Sequence, residues 1–388
     1  MLRGRSARLA KEGGSNRIER LKPELKAAPI ASSAPESRKQ PIDRKLTIAV
    51  IGAGIIGRKH IETVLGSPFF QLAAIADPAE SGRSQARALG VPWHAAAADL
   101  LEEVKPDAAV IATPNETHRE LALACVERGI PVVVEKPIAG NLGDAAAIVS
   151  ASEQAGVPVL IGHHRRHNPI IRRAREVIAD GLLGQLTNVS VLYTFYKPPE
   201  YFDLTWRRRS GGGPVLINLV HEIDLIRHLC GEIHSVQALT SSARRSFEVE
   251  DTAAVLLHLT NGALVTLSLS DTAAAPWSWD LAAGEIGLYP PQPIPVQTHF
   301  FCGTEGSLAL PTLERWSYRA RKSWFAPITR ETLACERADP YMEQLNHLYR
   351  VIQYAEPPLV SAAEGTLTLR ATLAIHEAAR TARTVAVR

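Results

Sequence analysis

Several things are scarce in this chain, and each shortage excludes something. Four cysteines (Cys125, Cys230, Cys302 and Cys335) are spread over 388 residues, with no Cys-x-x-Cys and no zinc-ligand spacing. A disulfide framework is excluded on that count, and the thiols read as reduced and mostly buried. No stretch reaches about 18 uncharged apolar residues, so no membrane span is expected and the cytoplasm is the expected compartment. Aromatics are absent from residues 1–43. That segment is rich in Arg, Lys, Ser, Ala and Pro. It cannot bury enough apolar surface to offset the entropy of ordering, so it reads as a disordered basic arm with at most a short helix near Ile18–Leu25. It lacks the apolar core of a secretory signal, and its five acidic residues argue against a transit peptide.

The body of the chain also lacks a positive charge excess. Residues 1–45 hold twelve Lys or Arg against five Asp or Glu, and the remainder holds 31 against 35. The net +3 therefore belongs to the arm, and nothing in the body suggests a nucleic-acid surface. Apolar residues at 46% and charged residues at 21% fit a folded chain with a large core. Its length predicts two domains.

The texture changes at Leu46. Residues 46–52, LTIAVIG, are a short apolar run suited to a buried parallel strand. FQLAAIAD (70–77), DAAVIATP (107–114), PVVVEKP (131–137) and VPVLIGHH (157–164) repeat that character, with helical patterns between them. Strand and helix alternating at short intervals predict a doubly wound parallel sheet, assigned to residues 44–165. Residues 166–388 read differently. Long strand candidates, a hairpin signal at Asn261-Gly262 and two amphipathic C-terminal helices predict an open-faced, mostly antiparallel sheet with helices on one face. Its segment 271–300, rich in Pro and Trp, is expected to form a lid or a subunit contact.

Gly52-Ala53-Gly54-Ile55-Ile56-Gly57 is a G-x-G-x-x-G placed after a strand and before a helix, with Asp77 twenty residues beyond Gly57. That is a dinucleotide fingerprint in its required context. Gly52 permits the tight turn, Gly54 lets backbone approach a pyrophosphate, and Gly57 lets helix pack on strand. The N–H groups of Ile55 and Ile56 open the helix toward the phosphates. Asp77 would accept from ribose hydroxyls and repel a 2′-phosphate, which favours NAD over NADP; Arg58 and Arg83 could soften that preference. Thr113-Pro114-Asn115 and Glu135-Lys136 stand where the next strands end, which adds them to the cofactor side of the cleft. A lysine there can stabilise a developing alkoxide.

Together GAGIIGRKH, ADP at 76–78, ATPNETH, VEKP, HHRRHNP, WRRRSGGGP, INLVHEID and CGTEGSL resemble the glucose–fructose oxidoreductase / inositol dehydrogenase family, Gfo/Idh/MocA, from about Leu46 to the C-terminus. The resemblance implies a catalytic lysine at Lys136, a general acid/base at His221, and a homodimer or homotetramer formed through the open sheet. It implies hydride transfer between a secondary alcohol of a sugar, cyclitol or related polyol and NAD. One position departs: the family pattern commonly carries aspartate three residues before the histidine, and here Asn218 stands there. Asn218, Asp224, Arg165, Trp206 and Arg207 are the candidate substrate contacts, with Asp224 also placed to orient His221 one helical turn away. His163, His164 and His167 lack metal-ligand spacing, so no metal is expected. Two other readings remain: a redox-neutral enzyme that oxidises a sugar transiently, and a cofactor-binding protein without catalysis.

Overall fold

In the computed structural model, residues 44–285, 287 and 289–387 are described, so the expectations for the basic arm lie outside the described residues. The first sheet holds β1 (Leu46–Ile51), β2 (Phe70–Ala76), β3 (Trp93–His94), β4 (Ala108–Ile111), β5 (Val132–Val134) and β6 (Val159–Ile161). Its order is β3-β2-β1-β4-β5-β6 and every pair is parallel. The order reverses between β1 and β4, which is where ligands bind in such sheets. Helices α1 (Ile55–Leu65), α2 (Glu80–Leu89), α3 (Ala97–Val104), α4 (His118–Glu127) and α5 (Leu142–Ala155) make the crossovers. The strands are apolar on both sides because both faces are covered. β4 and β5 have no residue open to solvent.

After α6 (Pro169–Ala179) come β7 (Leu186–Thr194), α7 (Val220–Cys230), β8 (Ile233–Ser241), β9 (Thr252–Leu259), β10 (Leu264–Ser270), the short α8 (Trp279–Ala282), β11 (His299–Gly303), β12 (Gly306–Leu310), β13 (Glu314–Ser317) and β14 (Thr329–Thr332). The chain ends with α9 (Pro340–Tyr354), α10 (Ala362–Thr381) and β15 (Val385–Ala386). The nine strands order as β14-β13-β12-β11-β7-β10-β9-β8-β15, antiparallel except for β7 with β10. In β9 and β10 buried and exposed residues alternate, the period expected of a sheet with one face on a core. Leu256 on β9, Leu264 on β10 and Leu239 on the neighbouring β8 remain exposed. The tight Asn261-Gly262 turn connects β9 to β10: Gly262 takes φ +90° and Asn261 Oδ1 accepts the Ala263 N–H.

α10 ties the sheets together. Leu369 packs into the core of the first sheet, and Ala371, Ala374, Ile375 and Ala378 into the core of the second. α9 returns to the other face of the first sheet through Leu345, Leu348 and Val351. Among the described residues no helix is long and apolar enough to cross a membrane.

Candidate active site

Four loops leave the carboxyl edge of the first sheet side by side. Gly52 N–H donates to Ala76 O, Ala112 N–H to Ile51 O, Glu135 N–H to Ile111 O, and Gly162 N–H to Val134 O, each running the ladder on past a strand end. The first loop is the Gly-rich turn. Gly52 takes φ +95°, and a Cβ there would lie 2.6 Å from Ala112 O. A Cβ on Gly57 would lie 1.9 Å from Gly52 O, so the helix reaches the strand only without one. A Cβ on Gly54 would meet nothing within 4 Å. α1 therefore opens onto free space, with no side-chain cap and no acidic residue in its first turn. Its unpaired N–H groups, including those of Ile55 and Ile56, suit a pyrophosphate. Gly57→Ala is expected to weaken NAD binding by ~10-fold or more in calorimetry, since that loss needs only about 1.4 kcal/mol of strain.

Asp77 closes the loop from the end of β2. Its Oδ2 accepts the Ala53 N–H at 2.6 Å and its Oδ1 the Ala79 N–H at 2.8 Å. Each oxygen keeps a further lone pair for a ribose hydroxyl. Arg58 donates to Ala53 O at 3.3 Å, and Arg83 lies over the Trp93 ring, so neither contacts Asp77. At the next loop the Thr113 hydroxyl accepts from Thr117, Pro114 is exposed and Asn115 is half-buried. His118 bridges this loop to the following one, its ring nitrogens 2.9 Å from Thr113 O and 3.0 Å from Pro137 O. Both carboxylate oxygens of Glu135 are engaged within the protein. The residue is buried, with Oε1 2.8 Å from His60 Nε2 on α1 and Oε2 accepting its neighbour's N–H. Burial pushes this carboxyl up, but His60 and Lys136 outweigh burial and bring it down to about 2.

Lys136 is half-buried and donates from Nζ to Ile217 O at 2.9 Å. Burial lowers its pKa against the opposing pull of Glu135 and Asp280. Ile217 lies in a π-helical turn, Val215–Leu219, which runs directly into α7. Such turns recur at functional sites because they displace side chains from helical register. His221 follows on α7. Its imidazole is 7% exposed, edge-on to His164 with ring centroids 5.3 Å apart, and its Nδ1 is buried without a hydrogen-bond partner. Burial, then Lys136 and Arg165, hold its pKa well below the usual histidine range, so the ring is neutral at neutral pH.

The structure redistributes the expected substrate contacts. Asn218 accepts from Lys197 Nζ at 2.7 Å and donates to the Tyr193 hydroxyl at 3.1 Å, so its amide is held at both ends. Asp224 neither orients His221 nor opens to the cleft. Both its oxygens accept from Arg166, at 2.7 and 2.8 Å, and Thr368 adds a third bond. Asp224→Ala leaves the buried Arg166 guanidinium only its 3.2 Å contacts to Glu364 and is expected to cost about 3 kcal/mol in urea unfolding. Arg165 is not a free hook for substrate either. It is 1% exposed, bonded to Glu222 at 2.6 Å and to Asp280 at 2.7 Å, with Glu285 at 3.9 Å. Arg207 turns its guanidinium onto the Tyr201 ring and donates to Tyr201 O, while Trp206 stays exposed in a short 3-10 turn. His163, His164 and His167 are buried, with His164 stacked on Tyr341. Among the described residues no group of three His, Cys, Asp or Glu side chains is arranged to hold a metal ion.

Lys197, Tyr193, Asp280, Glu285 and Tyr341 reach this region without a motif to announce them. Segment 278–285 is an inner wall: it lays Asp280 and Glu285 against Arg165.

Residues 46–163 match the model of an oxidoreductase family with an NAD-binding Rossmann fold, and residues 171–309 match the Gfo/Idh/MocA C-terminal domain. Inositol 2-dehydrogenase 2 of Saccharopolyspora erythraea is 31% identical over 261 residues, 63% of this chain and 74% of that protein. The chain belongs to the Gfo/Idh/MocA family. Its first sheet and helices are accordingly an NAD-binding Rossmann domain. The rhizopine catabolism protein MocA of Rhizobium meliloti is also 31% identical, over 188 residues; this covers 48% of the chain and 58% of that protein, so the match spans little more than half of MocA. The WlbA dehydrogenase of Bordetella pertussis, solved with NADH and UDP-GlcNAcA, shares the fold of this Gfo/Idh/MocA chain. Its TM-score is 0.74 at 22% identity, over 89% of this chain and 99% of that one.

Proposed function

We propose that this protein oxidises a secondary alcohol of a cyclic polyol or sugar, with NAD as the acceptor. The observation that carries the reading is the neutral, buried His221 set one turn after the carbonyl that anchors Lys136. Relatives named as inositol dehydrogenases support the substrate class.

The Gly-rich turn and the start of α1 would hold the pyrophosphate, and Asp77 the adenosine ribose. The carboxylate of Asp77 disfavours the extra phosphate of NADP. When bound, the nicotinamide supplies the acceptor for hydride. The chain's own residues manage the proton and the oxygen. With Nδ1 of His221 buried, Nε2 is the nitrogen left to take the hydroxyl proton. Lys136 spends one of its three N–H donors on Ile217 O and has two for the substrate oxygen. Its charge stabilises the alkoxide character that develops there. Oligomerisation through the sheet face bearing Leu239, Leu256 and Leu264 completes the proposal.

A panel of inositols, aldoses, uronates and cyclic diols, followed by NADH absorbance, tests it. Net NADH from at least one polyol, absent in Lys136→Ala, is the expected result. Silence across the panel with NAD bound contradicts net oxidation and favours the redox-neutral reading.

A further inference from the structure

Lys136, Arg165 and Lys197 bring three cations into one buried region, and most nearby carboxylates already hold a cationic or histidine partner other than Lys136. Glu135 is engaged by His60, Glu222 by Arg165 and His299, and Asp271 by Lys197 and Arg245. Asp280 differs. Its side chain keeps 15% of its surface, against 2% or less for Arg165, Glu222 and Glu285. Its Oδ1 accepts from Arg165 Nη2 at 2.7 Å, and its Oδ2 accepts the Tyr193 hydroxyl proton. An ionised carboxylate can only accept, so the direction of that bond is fixed, and Tyr193 Oη is left to accept from Asn218 Nδ2. Asn218 Oδ1 then receives Lys197 Nζ. The relay Asp280–Tyr193–Asn218–Lys197 thus grips the π-turn at the residue adjoining Ile217, whose carbonyl holds Lys136.

We propose that Asp280 is a positioning residue of this site: through Tyr193 it fixes Asn218 and the turn that anchors Lys136, and it adds its negative charge to the surroundings of that ammonium. The proposal deepens the alcohol-oxidising reading and rests on it for its catalytic meaning. Burial presses Lys136 toward its neutral form; Glu135 and Asp280 resist this, while Arg165 reinforces it. Asp280 itself is faced by Arg165, Tyr193, Tyr341, Tyr289 and Lys197. Burial brings the Lys197 pKa down to about 8 against the pull of Asp271. Asp280 thereby supplies, from a distant part of the chain, the negative charge that Asn218 lacks.

The test reads Lys136 directly. In protein labelled with 13C at lysine, its signal is assigned by disappearance in Lys136→Arg and followed with pH. Asp280→Asn is expected to lower the pH at which Lys136 loses its proton by about 1 unit or more, the usual effect of removing a nearby opposite charge. A folded Asp280→Asn protein with an unmoved Lys136 titration overturns the proposal. Tyr193→Phe keeps the carboxylate and cuts the relay. It is expected to shift the Asn218 side-chain amide signals in 15N spectra while leaving the Lys136 titration in place; unshifted Asn218 signals overturn the positioning role even if Asp280→Asn does not fold. With an oxidised polyol in hand, Asp280→Asn lowers kcat/KM most at alkaline pH. Neither spectroscopic readout needs turnover, so a wild-type protein that oxidises no polyol sinks the functional reading separately.

Discussion

Lys136→Ala lowers kcat by about 10²–10³-fold, the usual loss when a donor aimed at a developing oxyanion is removed. NAD still binds, because the Gly-rich turn and Asp77 lie on other loops. The variant also frees the Ile217 carbonyl, so a small loss of stability accompanies the catalytic one. Lys136→Arg does not restore the rate, since a planar guanidinium cannot reproduce a compact ammonium bonded to one carbonyl and one substrate oxygen. The pH dependence follows from the sign of the shift. Lys136 acts in its charged form, and burial has lowered its pKa from the ordinary lysine value. Activity in the wild type therefore falls as pH rises through that lowered value, at a pH below the ordinary lysine range. Steady-state kinetics across the alkaline range with one oxidised polyol, alongside NAD binding by fluorescence, checks both statements.

His221→Asn removes the general base and lowers kcat by about 10²–10⁴-fold, with KM changed much less. Asparagine keeps the approximate size of the ring, so the contacts with His163 and His164 are largely kept and the fold survives. The acid limb of the wild-type profile carries the second sign. His221 works in its neutral form, and its pKa lies well below the usual histidine range. Lowering the pH from neutral to the ordinary histidine range leaves the ring uncharged, and activity is lost only further down. A proton on His221 is easily lost in this site because the imidazolium would be buried against Lys136 and Arg165, both cationic.

The parts of this site that the sequence announces are those built from neighbours in the chain. Gly52, Gly54 and Gly57 fall within six residues of one another, and the tightest demand among them is local: a Cβ on Gly57 would strike Gly52 O. Lys136 sits where a strand ends, and the resemblance supplied His221. Arg165 and Asp224, two of the expected substrate contacts, are taken up by partners that the local sequence does not announce. Arg165 is neutralised by Glu222 and Asp280, 57 and 115 residues away, and no local pattern predicts such pairing. Asp224 stands at helical spacing from His221, yet Arg166 captures it, because a buried guanidinium needs a bidentate partner more than a neutral ring does. The π-turn at Val215–Leu219 has no mark in the local sequence pattern. It lets Ile217 present a carbonyl to Lys136 while Asn218 turns to Tyr193. For the fold, the alternating strands and helices after Leu46 were legible because both faces of a parallel sheet demand apolar runs. β12 to β14 are not read from the sequence; they are four or five residues long, too short to show a period, and β13 and β14 carry mixed residues toward the sheet edge.

The most direct test of the account follows the hydride itself. A cyclic polyol bearing deuterium at each carbinol carbon is incubated with NAD and the protein, and the cofactor is recovered for mass spectrometry. The account predicts NADH one mass unit heavier from the wild type and none from Lys136→Ala. Unlabelled cofactor, recovered with the polyol unchanged or altered without oxidation, would contradict it.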